Sequence, residues 1–251
     1  MSARLIVGDC RVVLQDAAPF DLLSADPPYG ETSRAWDRRV EGWLGVAAGL
    51  VRPTGSLWVF GSLKLFMATA AEFERAGWRL AQDIVWEKHN GSSIRRDRIR
   101  RVHEIVAQFW RADQPWSGVW NETPRTMDAV ARTVRRKMKP PHMSRIGDSR
   151  FVSEDGGPRL ARSVQRFASC HGRAIHPTEK PTGLLELIVR TSCPPGGIVG
   201  DMFAGSGAAG EACHFAGRRY VGAESDPEMA AKAAARLAGF LPLGGVEAKV
   251  A

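Results

Sequence analysis

Five short, uninterrupted apolar runs, at 4–8 (RLIVG), 21–25 (DLLSA), 55–61 (GSLWVFG), 80–86 (LAQDIVW) and 103–110 (HEIVAQFW), are bounded by glycine, proline or charge. A run of that length without polar alternation presents apolar side chains on both sides, as a strand does when both faces of its sheet are covered. Between the runs lie segments with helical spacing, notably 41–51 and 64–77, the second closed by Gly77. The rhythm returns later, with helices expected at 182–192, 206–216 and 226–238 and strands at 197–202 and 219–224. Strand and helix alternating in this way specify an α/β fold with a doubly wound, mostly parallel sheet. A chain of 251 residues is long enough to bury a sizeable core of that kind.

Residues 112–175 break the pattern. Pro115, Pro124, the Pro140-Pro141 pair and Gly156-Gly157-Pro158 are scattered among arginines with no sustained period. An inserted, loop-rich region is expected there rather than more sheet. The organisation is thus 1–111 as one half of the domain, 112–175 as the insert, 176–240 as the second half and 241–251 as a loose tail. Charge follows the same division. Residues 88–173 hold 19 Lys+Arg against 8 Asp+Glu, and the remainder 16 against 19, so the net +8 is regional. Sixteen of those 19 are arginine, whose planar fork suits phosphates and guanine edges. A solvated basic face explains any one charge run, but the excess over the whole chain points to a polyanionic partner. No apolar stretch approaches the ~20 residues that cross a bilayer, and Asp9 interrupts the N-terminus before a signal-peptide core forms, so a soluble cytosolic chain is expected. Cysteines 10, 170, 193 and 213 have neither zinc-site nor disulfide-framework spacing, and no metal is expected.

Two motifs carry chemistry. In IVGDMFAGSGAAG a strand turns at Gly205, Gly207 and Gly210 and opens a helix, with Glu224 at the end of the next strand. Glycines let backbone approach a ligand closely, and a carboxylate at that place can accept both hydroxyls of a ribose. The literal spacing is that of a dinucleotide fingerprint, but Asp201 just before the turn would repel a pyrophosphate and attract an ammonium. A glycine turn that serves helix packing alone is the plainer reading, and the placed Glu224 argues against it. The second motif is Asp26-Pro27-Pro28-Tyr29, at the carboxyl end of a strand, where open α/β sheets bind ligands. The two prolines stiffen the segment and fix its carbonyl directions. A carboxylate and a rigid carbonyl can each accept one hydrogen of an exocyclic amine while the tyrosine ring stacks on the base.

Together the tetrad and the turn resemble the amino-methyltransferases that act on exocyclic nitrogens in DNA, and more narrowly their permuted beta group, in which the tetrad precedes the turn. Ile175-His176-Pro177-Thr178-Glu179-Lys180-Pro181 is similar to that group's His-Pro-Thr-x-Lys-Pro signature, and Phe203-Ala204-Gly205-Ser206-Gly207 to its Phe-x-Gly-x-Gly turn. The likeness runs from Gly8-Asp9-Cys10 to about Leu237 and fades between about 112 and 170, where the group places its target-recognition segment. It implies a circularly permuted, Rossmann-like methyltransferase sheet with S-adenosylmethionine as cofactor. It implies that Asp201, Phe203, Ala204, Gly205, Ser206, Gly207 and Glu224 hold methionine and ribose, and that His176, Thr178 and Lys180 approach the methionine end. Asp9 and Cys10 would approach the adenine. Asp26, Pro27, Pro28 and Tyr29 would be catalytic, with Asp26 facing cofactor and base alike.

The implied activity is site-specific methylation of adenine N6 in double-stranded DNA after base flipping, since aspartate at the head of the tetrad is the form more usual among adenine enzymes. Cytosine N4 stays open. So do a nicotinamide-dependent oxidoreductase, on the glycine spacing, a methyltransferase for RNA or protein, and a silent DNA-binding module. Homodimers are common in the resembled group; a homodimer and a restriction endonuclease partner are both left open. Residues 31–40, just after the tetrad, are a candidate lid, with Trp36 either a wedge or ordinary packing.

Overall fold

A computed structural model of the chain describes residues 2–17, 19–89, 96–136, 149–170, 172–240 and 246–250. In chain order, β1 (Ala3–Val7) leads through the short α1 (Cys10–Val13) to β2 (Phe20–Ala25), α2 (Trp43–Leu50), β3 (Val51–Gly61), α3 (Leu63–Arg75), β4 (Trp78–Glu87) and β5 (His103–Arg111). Short strands follow: β6 (Arg125–Thr126), β7 (Arg132–Arg136), β8 (Ser149–Ser153), β9 (Arg159–Leu160) and β10 (Val164–Arg166). The chain ends with α4 (Thr182–Ser192), β11 (Ile198–Asp201), α5 (Ala208–Ala216), β12 (Arg219–Glu224), α6 (Pro227–Ala238) and β13 (Val246–Val250). It divides into two compact units, one of Met1–Glu122 with Ser163–Ala251, the other of Thr123–Arg162.

The first unit holds a nine-stranded sheet in the order β10-β4-β5-β3-β2-β11-β12-β1-β13. Neighbours are parallel except β5, which runs antiparallel to both β3 and β4. The uninterrupted apolar runs are explained by helices on both faces. Leu22 packs with Trp58, Phe60 and Trp86 under α4 and α5, whereas its neighbour Leu23 packs with Leu57, Val59 and Phe109 under α2 and α3. A smaller cluster of Leu5, Ala230 and Ala233 seats α6 on β1. Local signals set the helix ends. Ser62 caps α3 by accepting the Leu65 amide at 3.0 Å, and Gly77, at φ +79°, follows its last turn. Asp226 accepts the Glu228 amide at 2.9 Å and Pro227 opens α6, where its missing N–H is no loss.

Two expectations are corrected. Residues 246–250, read as part of a loose tail, pair in parallel register with β1. Their sequence VEAKV alternates with a period of two, the signature of an edge strand, which the apolar-run criterion overlooks. The insert also returns a strand to the main sheet, because β10 pairs with β4. Three residues are too few to show a period. Residues 90–95, 137–148, 171 and 241–245, which include Pro140-Pro141, His171 and part of the basic count, lie outside the described residues.

The second unit contains two antiparallel pairs, β6 with β9 and β7 with β8. Arg159 Nε donates to Asp128 Oδ1 at 2.6 Å, and Asp155 accepts the Ala131 amide at 2.7 Å. Phe151 and Val152 of β8 are exposed.

A buried polar knot joins the middle of the first unit. Fully buried Gln108 on β5 accepts from Gln82 Nε2 at 2.7 Å, and its own Nε2, with two hydrogens to give, has three acceptors in reach: Ser192 Oγ at 3.0 Å and Ser56 Oγ and Asn121 Oδ1 at 3.2 Å. Ser192 also accepts the Trp58 indole N–H at 2.7 Å. Replacing Gln108 strands several of these groups without water, so Gln108→Leu is expected to destabilise the protein by about 1–3 kcal/mol. The check is a thermal melt, with a fall of about 2–4 °C for each kcal/mol in a chain of this size.

Candidate active site

The site lies along one edge of the sheet. β2, β11, β12 and β1 are adjacent and parallel, so the residues after their carboxyl ends, Asp26, Met202, Ser225 and Gly8, come out side by side, with Asp201 and Glu224 as the last residues of β11 and β12. β5 runs the other way, which brings its start to this same edge: His103 pairs with Glu87 and Glu104 with Trp86.

The tetrad leaves β2 with Pro27 buried and Asp26 keeping 24% of its side-chain surface open. Both oxygens of Asp26 are engaged. Oδ1 accepts the Tyr29 hydroxyl at 2.9 Å and Oδ2 accepts Lys180 Nζ at 2.6 Å. Lys180 also donates to the Thr178 carbonyl at 3.2 Å and lies 3.6 Å from Glu104 Oε2. Glu104 Oε1 in turn pairs with Lys88 Nζ, and its Oε2 stands 3.5 Å from the Tyr29 hydroxyl. Burial pushes the Asp26 carboxyl up from the usual carboxylate range, against the pull of Lys180. Burial acts on Glu104 in the same sense, but Lys180 and Lys88 together overcome it and hold that carboxyl low. Burial alone would depress Lys180, and Asp26 and Glu104 reverse that and lift it.

The loop after the tetrad is tied down by Asp37, whose carboxylate accepts the amides of Gly30 at 2.8 Å, Glu31 at 3.0 Å and Thr32 at 2.7 Å. Burial opposes the Asp37 charge, yet the Thr32 hydroxyl and these amides outweigh it and keep the carboxyl below its ordinary value. Glu31 bonds to the Ser62 hydroxyl and faces Arg101 at 3.5 Å. The candidate lid is therefore pinned at its start. At its crest Trp36, 42% exposed, rests on the His176 ring with centroids 5.2 Å apart. His176 Nδ1 stands 3.0 Å from the Thr178 hydroxyl and 3.3 Å from its amide. Burial lowers the His176 pKa, and the fields of Asp26, Glu224, Lys180 and Glu179 all reach it.

The glycine turn needs its glycines. Gly205 and Gly207 sit at φ +49° and +74°, and a Cβ on Gly207 would stand 3.2 Å from Ala233 Cβ. Glu224 braces the turn: Oε2 accepts the Gly205 amide at 2.8 Å and Oε1 accepts the Asp226 amide at 2.9 Å. Asp201 is buried, accepting the Phe203 amide at 3.3 Å and the Tyr220 hydroxyl at 3.1 Å. Burial pushes its carboxyl up to about 7, with Asp26 and Glu224 adding to the rise. Phe203 meets Trp43 edge-on, and Ala204 and Ser206 are buried. Arg236, which reaches Ser206 Oγ at 3.4 Å, is engaged by Glu179 at 3.0 Å and by Glu211. Two carboxylates with lone pairs to spare, and a guanidinium already neutralised, make this turn a place for hydroxyl and ammonium groups rather than for a pyrophosphate.

Some expected residues are drawn elsewhere. Lys180, expected at the methionine end of a cofactor, turns its ammonium to Asp26. Asp9, expected near an adenine, caps α1 by accepting the Arg11 amide at 2.9 Å and also takes Arg11 Nε at 3.0 Å. Cys10 is buried and its thiol is pushed up to about 12, mainly by burial. Glu104, Lys88 and Asp37 escaped the sequence reading. The signal for Glu104 is a carboxylate set directly before the apolar run 105–107, and for Asp37 an aspartate in the loop that follows the proline-stiffened tetrad. Among the described residues no group of three or more His, Cys, Asp or Glu is placed to hold a metal, and no helix is long and apolar enough to cross a membrane.

Comparison with known proteins places these features in a wider set. The profile of the N6/N4-methyltransferase family, described as DNA methylase, matches residues 20–235. The type II methyltransferase M2.DpnII of Streptococcus pneumoniae is 26% identical over 227 residues, covering 90% of this chain and 74% of that protein. Among solved structures, the M1.HpyAVI complex with SAM superposes with a TM-score of 0.64 at 23% identity, over 94% of this chain and 100% of that one. PvuII DNA methyltransferase, titled cytosine-N4-specific, does so with a TM-score of 0.65 at 17% identity, over 97% of this chain and 88% of that one. At such identities the structural likeness carries the fold, an α/β Rossmann-like sheet.

The three amides gathered by Asp37 give a direct test of the pinned loop. Asp37→Ala should release them, and hydrogen exchange at Gly30, Glu31 and Thr32 is expected to quicken while exchange in β2 stays unchanged. Equal protection in both proteins would show that the loop is held by something else.

Proposed function

The chain belongs to the N6/N4 DNA methylase family, and on that premise we propose that it transfers a methyl group from S-adenosylmethionine to the exocyclic N6 of adenine in double-stranded DNA, after flipping the base from the helix. The observation that carries this reading is the pairing of Asp26 and Tyr29, just after β2, with the two-carboxylate glycine turn at the ends of the neighbouring β11 and β12. One pocket edge thus offers an amine-orienting carboxylate beside a nucleoside cradle.

The residues at the turn fit the cofactor. Glu224 would accept its ribose hydroxyls, Asp201 its ammonium, and the turn from Phe203 to Gly207 would follow its backbone closely, with His176 and Thr178 near its amino-acid end. Asp9 and Cys10 remain candidates for the adenine side through their backbone, since the Asp9 carboxylate is held by Arg11. Bound there, S-adenosylmethionine supplies an electrophilic methyl carbon on a sulfonium. An aromatic amine is a poor nucleophile because its lone pair is delocalised into the ring. Asp26 and the Pro27 carbonyl, accepting its two hydrogens, would weaken that delocalisation and aim the lone pair. Asp26 would also take up the proton released as the new N–C bond forms, a task suited to the more weakly acidic of the two site carboxyls. Tyr29, held by its hydroxyl, would present its ring to the flipped base, a stacking worth about 1–3 kcal/mol that offsets part of the unstacking. The basic region 88–173 would neutralise phosphates.

Asp26 at the head of the tetrad favours adenine. The test is nucleoside analysis of DNA from cells expressing the chain: N6-methyladenine is expected, N4-methylcytosine would reassign the base, and the absence of both would overturn the reading. In purified protein, Asp26→Ala should lower turnover at least ~100-fold while cofactor binding survives, because a preorganised group of this kind contributes about 3–4 kcal/mol.

Asp201 gives the cofactor site a pH dependence. An ammonium binds the ionised carboxylate, so below about pH 7 a proton must leave before the cofactor enters. Affinity for S-adenosylmethionine should therefore hold steady near pH 7.5 and weaken, approaching tenfold per unit, as the pH falls below about 7. Asp201→Asn should flatten the profile. Calorimetry across this range decides it, and an unchanged affinity at low pH would remove Asp201 from the ammonium site.

A further inference from the structure

Lys180 is the residue whose placement departs most from its expected role. Its side chain is only 7% exposed, and its ammonium meets three oxygens: Asp26 Oδ2 at 2.6 Å, the Thr178 carbonyl at 3.2 Å and Glu104 Oε2 at 3.6 Å. Two of its hydrogens are committed to hydrogen bonds and Glu104 adds an ion pair, so the two carboxylates claim the ammonium. Glu104 is itself held from the far side by Lys88, whose ammonium also lies 4.6 Å from the Trp86 ring centre. In order of contact the charges alternate: Lys88, Glu104, Lys180, Asp26, with the Tyr29 hydroxyl between the two carboxylates at 2.9 and 3.5 Å.

We infer that Lys180 and Glu104, backed by Lys88, form a clamp that fixes the Asp26 carboxylate for the incoming amine, so that Lys180 serves the transfer site and not the cofactor. The inference rests on the methyltransferase reading above and assigns positioning roles within it. Its logic is geometric. A carboxylate on a segment with no hydrogen-bonded secondary structure can swing; one whose Oδ2 is held by a buried ammonium, while Oδ1 is held by a tyrosine three residues on, cannot. Glu104 gives the ammonium a second anchor on a rigid strand, and Lys88 removes the net charge that a second carboxylate would otherwise bring. Tyr29 from its own segment, Glu104 from β5 and Lys180 from the segment before α4 face Asp26, and His176 and Asp201 lie within electrostatic range. Of these, Lys180 exerts the strongest opposition to the burial of Asp26.

Three variants separate this role from its rivals. Lys180→Met removes the cation and leaves Asp26 facing Glu104. The variant should lose at least ~10-fold in turnover on duplex DNA, and the acidic limb of its pH profile should move to higher pH, while affinity for S-adenosylmethionine stays within about threefold. Glu104→Gln should lower turnover while moving that limb the other way. In the double variant one charge of each sign is gone, and the limb should return toward its original position. An affinity loss of more than ~10-fold with turnover preserved at saturation would restore Lys180 to the cofactor. Lowered turnover with an unmoved pH profile in all three would reduce the chain of charges to scaffolding. Carbon-13 NMR of the Asp26 carboxyl, assigned with Asp26→Asn, reads the same titration shifts without turnover. A clamp that fails and a methylation reading that fails are therefore told apart.

Discussion

Electroneutrality among largely buried charges is the constraint on which the candidate site depends. Two carboxylates, Asp26 and Glu104, stand close enough to share a tyrosine hydroxyl, and uncompensated they would repel each other and shed their charge by taking up protons. Lys180 and Lys88 balance them one for one. Removing a single partner from such a set leaves a buried charge unmet, at a cost of about 3–5 kcal/mol, so the four residues stand or fall together. The balance is uneven by design of the fold. Glu104 touches two lysines and Asp26 one, which leaves Asp26 the carboxylate better able to pick up a proton.

A second pair of carboxylates, Asp201 and Glu224, lies on the neighbouring strand ends and has no lysine partner among the described residues. Their partners are amides and a tyrosine hydroxyl, which orient the oxygens without neutralising them. The same sheet edge therefore holds a neutralised carboxylate pair and an uncompensated one, a few residues apart in the strand order β2-β11-β12. That contrast leaves one pair with a negative field and the other with its charge met and its geometry set.

Most of the sheet and its helices was legible in the sequence, because strands buried on both faces leave continuous apolar runs and helix ends leave caps such as Ser62, Gly77 and Asp226. The tetrad and the glycine turn were legible because proline and glycine restrict backbone in ways few other roles require. What escaped was whatever depends on direction. An apolar run gives no sense of whether a strand lies parallel or antiparallel, and Glu104 enters the site only because β5 is reversed and starts where its neighbours end. The true orientation of Lys180 was equally hidden. A lysine between a glutamate and a proline has a reach of several ångströms, and the buried acids that claim it come from residues far away in sequence. β13 was missed for a simpler reason, since its sequence VEAKV is polar at alternate positions and leaves no apolar run.

The excursion from Thr123 to Arg162 departs after Glu122 and is followed at once by β10, the outermost strand on its side of the sheet. Neither the tetrad, the glycine turn nor any charge of the clamp belongs to it. Chain inserted at a border strand can be exchanged, lengthened or trimmed while the central strands keep their register. The architecture thus lets the excursion vary in length and sequence while the strand ends that carry the site stay where they are.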